Sequence, residues 1–266
     1  MKMKSIALVC FCLAFGGRMA SACDTFRKAE APVMISNWCR DVWIDFFRDA
    51  YSFDEEDWND GFGWSVPCDL HRPQARIFQA IELLHFSSPN EPKFTDDFSG
   101  NFLRWAGNYA IDSFDELDGR CSNGTFHAYT WWGTIDDTAE FYMRFFYNEN
   151  VVQRAGTLVH EARHAGGWCS HNGNDGSNAC PSGSASCDEK FNDEEGCTGI
   201  FSDSGKGANG YQVLWLWWYT FEADAQHSDA VKKALARDDA NRILDNMFDV
   251  NPCFHITANG DKIITC

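Results

Sequence analysis

His160-Glu161-Ala162-Arg163-His164 is the stretch of this chain whose residue types and spacing can do chemistry. Four residues of α-helix turn through about 400°, so histidines at that spacing lie on one face, about one turn apart. Two neutral imidazoles so placed can hold one Zn²⁺ and leave it strongly Lewis-acidic. Glu161 is rotated from His160 by about 100°, which sets a carboxylate beside the ion as a general base toward a water.

The flanking residues predict the helix that this chemistry needs. Val151, Ala155, Leu158, Val159 and Ala162 recur at helical spacing as an apolar stripe. Gln153, Thr157, His160 and His164 form a second stripe on another face. Asn150 with Gln153 three residues on resembles a capping box, and Gly166-Gly167 supplies a stop. The histidines therefore belong to an amphipathic helix, on the face away from its most apolar side.

A catalytic zinc site usually takes three protein ligands and one open position. His171 is the leading third ligand, because it follows the glycine turn and the chain can fold back to present it. Glu222, on an aromatic helix downstream, competes, and Asp188 and Asp203 are further carboxylates in the intervening loop. Tyr211 and His227 are the side chains left to assist an oxyanion.

Residues 150 to 171 resemble the active-site segment of the zincin metallopeptidases. The metzincin branch reads H-E-x-x-H-x-x-G-x-x-H; Gly167 matches its glycine, Ser170 stands at the place of the last histidine, and His171 follows one residue later. Its later Met-turn has no counterpart here, since Met247 reads as part of a helix. The gluzincin branch draws a glutamate from a later helix, which is the way Glu222 would serve. The resemblance implies a Zn²⁺ cofactor held by His160, His164 and His171, with Glu161 as general base toward a peptide or protein substrate. It also implies that Glu161 hands the proton on to the leaving amine. The fold implied is α+β and zincin-like, helix-rich, with a small sheet and an active-site helix. The competing reading is a secreted metal-binding or adhesive module with a degenerate site and no turnover.

Export is written into the N-terminus. A basic start, an apolar run from Ser5 to Gly17 and Ala20-Ser21-Ala22 describe a signal peptide over residues 1–22. Lipid attachment at Cys23 is the rival reading, but Ala20 stands where such sites usually carry Leu. The expected location is therefore secreted, periplasmic or extracellular. Twelve cysteines are present, and ten remain beyond the signal, enough for five disulfide staples. The formal charge is −17, and removing the signal leaves −20, a field that repels nucleic acid and anionic membrane surfaces. No run is long enough to span a membrane.

Residues 23–266 then read as one domain, a helical first part over 23–120 and an active-site part over 121–266. Helices are expected over 38–53, from Pro73 to Phe86, and over 102–111, packing Trp38, Val42, Trp43, Phe46 and Phe47 among others into a core. Thr125 to Trp132 alternates and reads as a strand beside the active-site helix, where it could border a cleft. Asn123-Gly124-Thr125 is a glycosylation sequon in a eukaryotic host. Residues 168–210 form a long acidic, cysteine-rich loop. Helices follow over 211–225, from Ser228 to Leu235, and over 241–248.

Overall fold

The computed structural model describes residues 39–89, 102–122, 126–130, 137–166, 208–247, 254–256 and 262–264. The expected signal segment, the sequon and the expected loop with His171, Asp188, Asp203 and the cysteines from Cys169 to Cys197 lie outside them, as do Cys253 and Cys266. The described chain is α+β: seven helices, a three-stranded sheet and a short hairpin.

Helix α1 (Asp41–Ala50) turns Ile44 and Phe47 inward. Val42 and Phe46, expected in the core, are 66% and 38% exposed. The stripe that docks is Trp43, Ile44, Phe47 and Ala50, and Val42 and Phe46 sit about 100° off it. Helix α2 (Pro73–Phe86) opens on its first-turn proline as expected, where the missing N–H costs nothing. It is buried from Pro73 to His85. Helix α3 is Phe102–Ser113.

Four strands were not anticipated, two of them in the three-stranded sheet. Strand β1 (Glu116–Arg120) ends the stretch read as helical, and β3 (Thr138–Tyr142) pairs with it in parallel. Their five-residue length is too short for periodicity to separate strand from helix. Strand β2 (Ala128–Thr130), within the expected strand, is antiparallel to β3 and forms one edge of the sheet. Leu117, Ala139 and Phe141 enter the core, and Arg120 binds the carboxylates of Asp57, Asp118 and Glu140 beside it.

Helix α4 (Met143–Asn148) leads directly into α5 (Val151–Ala165), which carries the histidines. The carbonyl of Phe146, near the end of α4, accepts from the buried guanidinium groups of Arg76 (3.0 Å) and Arg154 (3.2 Å). Cations placed there satisfy carbonyls that a helix end leaves open. Helix α6 (Ala208–Glu222) is apolar around nearly its whole circumference and correspondingly buried. Helix α7 (Ala230–Met247) is one helix where two were expected. Nothing between Leu235 and Asn241 breaks it, and Ala236, Ala240, Ile243 and Leu244 form one buried stripe across the expected gap. Strands β4 (Phe254–Ile256) and β5 (Lys262–Ile264) make the antiparallel hairpin. Helix α5 packs on α2, α3, α6 and α7, and against β2 and β3, so it is the fold's central element.

One disulfide, Cys39–Cys68, ties the start of α1 to the turns before α2, and Cys121 is also disulfide-bonded. Among the described residues no helix is long and apolar enough to cross a membrane.

A pH signature follows from the core. Tyr51 Oη and His85 Nε2 share a 2.8 Å hydrogen bond, and burial pulls the imidazole down to about 4. Gly107 makes room for that ring, since a Cβ there would stand 2.6 Å from His85 Nδ1. Because the folded value lies below that of the unfolded chain, the unfolded chain holds the extra proton between about pH 6.5 and 4. Stability present above that window is lost as the pH falls through it, by about 3 kcal/mol at the limit. Asp118, pushed up to about 7 by burial against the pull of Arg120, works in the opposite sense. The difference between wild type and His85→Gln isolates the histidine: the variant's denaturant midpoint should rise relative to that of wild type between pH 7 and pH 4.5. Equal acid sensitivity of the two would refute the assignment.

Candidate functional site

The capping box forms as the sequence implies. Asn150 Oδ1 accepts from the backbone N–H of Val152 and of Gln153, both at 3.0 Å, and Gln153 Oε1 accepts from the backbone N–H of Asn150 at 3.1 Å. The box fixes the first turn of α5 and hence the rotation of everything after it. Gln153, Thr157, His160 and His164 emerge half-buried along one face, while Val151, Ala155, Leu158, Val159 and Ala162 are buried on the other. Gly166 ends the helix.

The two imidazoles converge. Nε2 of His160 and Nε2 of His164 stand 3.2 Å apart, with the rings roughly edge to face. Tetrahedral zinc with Zn–N bonds of 2.0–2.1 Å spaces two ligand nitrogens by about 3.3 Å. The nitrogen spacing therefore matches the span of two ligands on one such ion. Among the described residues no further carboxylate, thiol or imidazole joins the pair within 4.8 Å of both.

Glu222 in particular does not come near. The residues of α6 that face the site are Asn209 and Gln212, at its N-terminal end. Glu222 is ten residues beyond Gln212, about 15 Å farther along the axis, and is exposed. Tyr211 packs edge to face with Phe102 and Trp105 and tilted against Tyr109, with the Arg163 guanidinium 4.2 Å over its ring. His227 is held by Asp224. Neither lines the cavity below. The leading third ligand, His171, lies outside the described residues, and so do Asp188 and Asp203.

Glu161 is 6% exposed, and its carboxylate is oriented from the sheet: Thr130 Oγ1 donates to Oε2 at 2.7 Å. That bond also pins the edge strand β2 to α5. His160 and Glu161 open onto a cavity of about 520 Å³ bounded by β2, the α4–α5 junction and the faces of α6 and α7. Gly156, on the same helix, lets Gln212 of α6 approach, with a Cβ position only 3.3 Å from its Cγ.

The cavity holds polar groups that sequence reasoning did not mark. Glu149, just before the capping box, stands 2.6 Å from His127 Nδ1 and accepts from Thr157 Oγ1 at 3.1 Å. Asp239 on α7 accepts from Gln153 Nε2 at 3.2 Å and from Arg242 Nε at 2.9 Å. The available signal was the polar stripe itself: Gln153 and Thr157 continue the line of the histidines, and each meets an acid. Elsewhere, Asp54, Asp57 and Glu116 gather ligand atoms within 4.8 Å of one another. Burial and the two aspartates push the Glu116 carboxyl upward.

Comparison with protein-family models, with curated proteins and with solved structures returns no match.

Proposed function

We propose that this protein is an exported, zinc-dependent metallopeptidase with a zincin-like arrangement, hydrolysing peptide bonds in a peptide or protein substrate. The observation that carries the reading is the 3.2 Å convergence of His160 and His164 beside a buried glutamate that opens onto the same cavity as His160. A structural metal site has no use for such a base. His160 and His164 would hold the ion, with His171 the third ligand. Bound zinc would supply Lewis acidity, polarising the scissile carbonyl and easing loss of a proton from water.

The chain's own residues do the rest. Glu161 takes the proton of the attacking water, and Thr130 holds its carboxylate to one orientation, so that little reorganisation accompanies the transfer. The cavity, about 520 Å³, has room for a few residues of extended chain beside the centre.

The reading is tested with the purified protein and a mixed peptide library, cleavage products being identified by mass spectrometry. Cleavage that stops on chelation and returns with Zn²⁺ is expected. Cleavage indifferent to a chelator that strips the protein, or none at all in the zinc-loaded protein, would count against it.

A further inference from the structure

Asp239 of α7 lines the cavity and is 4% exposed. Its two carboxylate oxygens differ sharply. Oδ1 accepts from Gln153 Nε2 at 3.2 Å, from Arg242 Nε at 2.9 Å and from Arg242 Nη2 at 2.7 Å. Oδ2 is buried, and among the described residues no donor reaches it. A carboxylate has about four lone-pair sites to fill, and a buried acceptor left unpaired costs free energy. The cavity wall therefore carries an open acceptor on a side chain held from α5 by Gln153 and from α7 by Arg242. A ligand donor reaches Oδ2 by displacing a side chain at the wall, and Arg242, 51% exposed, is the one with room to move.

The chemistry favours a positively charged donor. Bonds between charged groups are about twice as strong as neutral ones. The chain's formal charge of −17 draws cations toward it and repels anions. Gln153 sets where such a group would sit. It lies on the histidine face of α5, seven residues before His160, about 10 Å along the axis. An extended peptide covers that distance in about three residues, and a long basic side chain reaches it from nearer positions.

Resting on the hydrolase reading above, we infer that the cavity selects peptides carrying a cationic nitrogen within about three residues of the bond cleaved, and that Asp239 is the specificity residue that binds it through Oδ2. A lysine or arginine side chain and the peptide's own N-terminal ammonium share this chemistry.

The test is equilibrium binding to the zinc-loaded Glu161→Gln chain, which leaves bound peptide intact. The peptides are matched except for lysine, norleucine or glutamate at each position in turn, each with a free or an acetylated N-terminus. The cationic peptide should bind about 10- to 100-fold more tightly than its neutral counterpart, the range for a hydrogen bond to a charged group, and salt should narrow the margin. A margin that follows lysine whatever the N-terminus assigns the side chain, and one that follows the free N-terminus whatever the side chain assigns the ammonium. Asp239→Asn in the same background should make cationic and neutral peptides bind alike. Asparagine keeps an oxygen for Gln153 and Arg242 but sets an N–H donor where Oδ2 stands. Arg242→Gln, which removes a competing cation from the same carboxylate, should widen the margin. No preference for the cationic peptides, or a preference that survives Asp239→Asn, overturns the inference. Tighter binding of the glutamate peptides that is lost in Arg242→Gln overturns it too, by placing the ligand on the guanidinium. Failure of the hydrolase reading shows separately, as a zinc-loaded wild type that cleaves none of these peptides whichever of them it binds.

Discussion

Glu161→Gln is expected to keep its zinc and lose hydrolysis, with kcat down by about 10²- to 10⁴-fold and KM little changed. The reason is geometric as much as chemical. A carboxamide has the shape of the carboxylate, and its oxygen can still accept the Thr130 hydroxyl that now lies 2.7 Å from Oε2. The anchor between β2 and α5 therefore survives, and so do the positions of His160 and His164, which belong to the same helix. What disappears is the ability to take a proton. Glutamine at 161 thus separates chemistry from architecture, and steady-state kinetics beside metal analysis reads both. Wild-type turnover in this variant would show that Glu161 is not the base. Loss of zinc together with turnover would show that it belongs to the metal's own shell.

Replacing both Cys39 and Cys68 by Ser is expected to cost about 3.5 kcal/mol, from the chain entropy of a closed loop with the 29-residue separation observed. In a protein of this size that lowers Tm by roughly 10 °C. Helix α1 depends on the bridge because its own purchase is small: only Ile44 and Phe47 are buried in it. Arg48 adds bonds to the Trp64 carbonyl at 2.6 Å and to Gln74 Oε1 at 2.9 Å, with its guanidinium 3.8 Å above the Trp64 ring. Those contacts hold α1 in place but do not restrict the unfolded chain as a covalent link does. Neither cysteine lines the cavity, so activity at 25 °C should persist while calorimetry records the loss. An unchanged Tm would mean that α1 docks without its staple.

The parts of the fold that were readable from sequence are those where several local signals agree. Helix α5 had an apolar stripe, a capping box and a glycine stop, and all three are in place. Helix α2 had its proline. The strands were harder because five residues of alternating burial, as in Thr138–Tyr142, carry little periodic signal until a partner strand is present. The break expected between Leu235 and Asn241 does not occur, because Asp238 and Asp239 do not stop a helix whose alanines keep a buried stripe. Val42 and Phe46 show the converse, apolar residues left in solvent because the helix presents another face.

At the site, spacing alone brought His160 and His164 to one face, since helix geometry fixes it. Spacing could not bring in Glu149 and His127, which lie 22 residues apart and meet only because the edge strand folds back on α5. The same holds for Asp239 and Gln153, 86 residues apart. Glu222 illustrates the reverse error: it lies on a helix that does reach the cavity, but at the helix's far end.

Metal analysis of the purified protein tests the central claim most directly, with wild type beside His164→Ala and His171→Ala after loading with Zn²⁺ and dialysis. About one zinc per chain in wild type, and loss from both variants, is the predicted result, one ion with three protein ligands being the usual catalytic set. No zinc retained by wild type under metal-replete conditions would contradict the account and leave a disulfide-bonded binding module whose two converging histidines serve the fold alone.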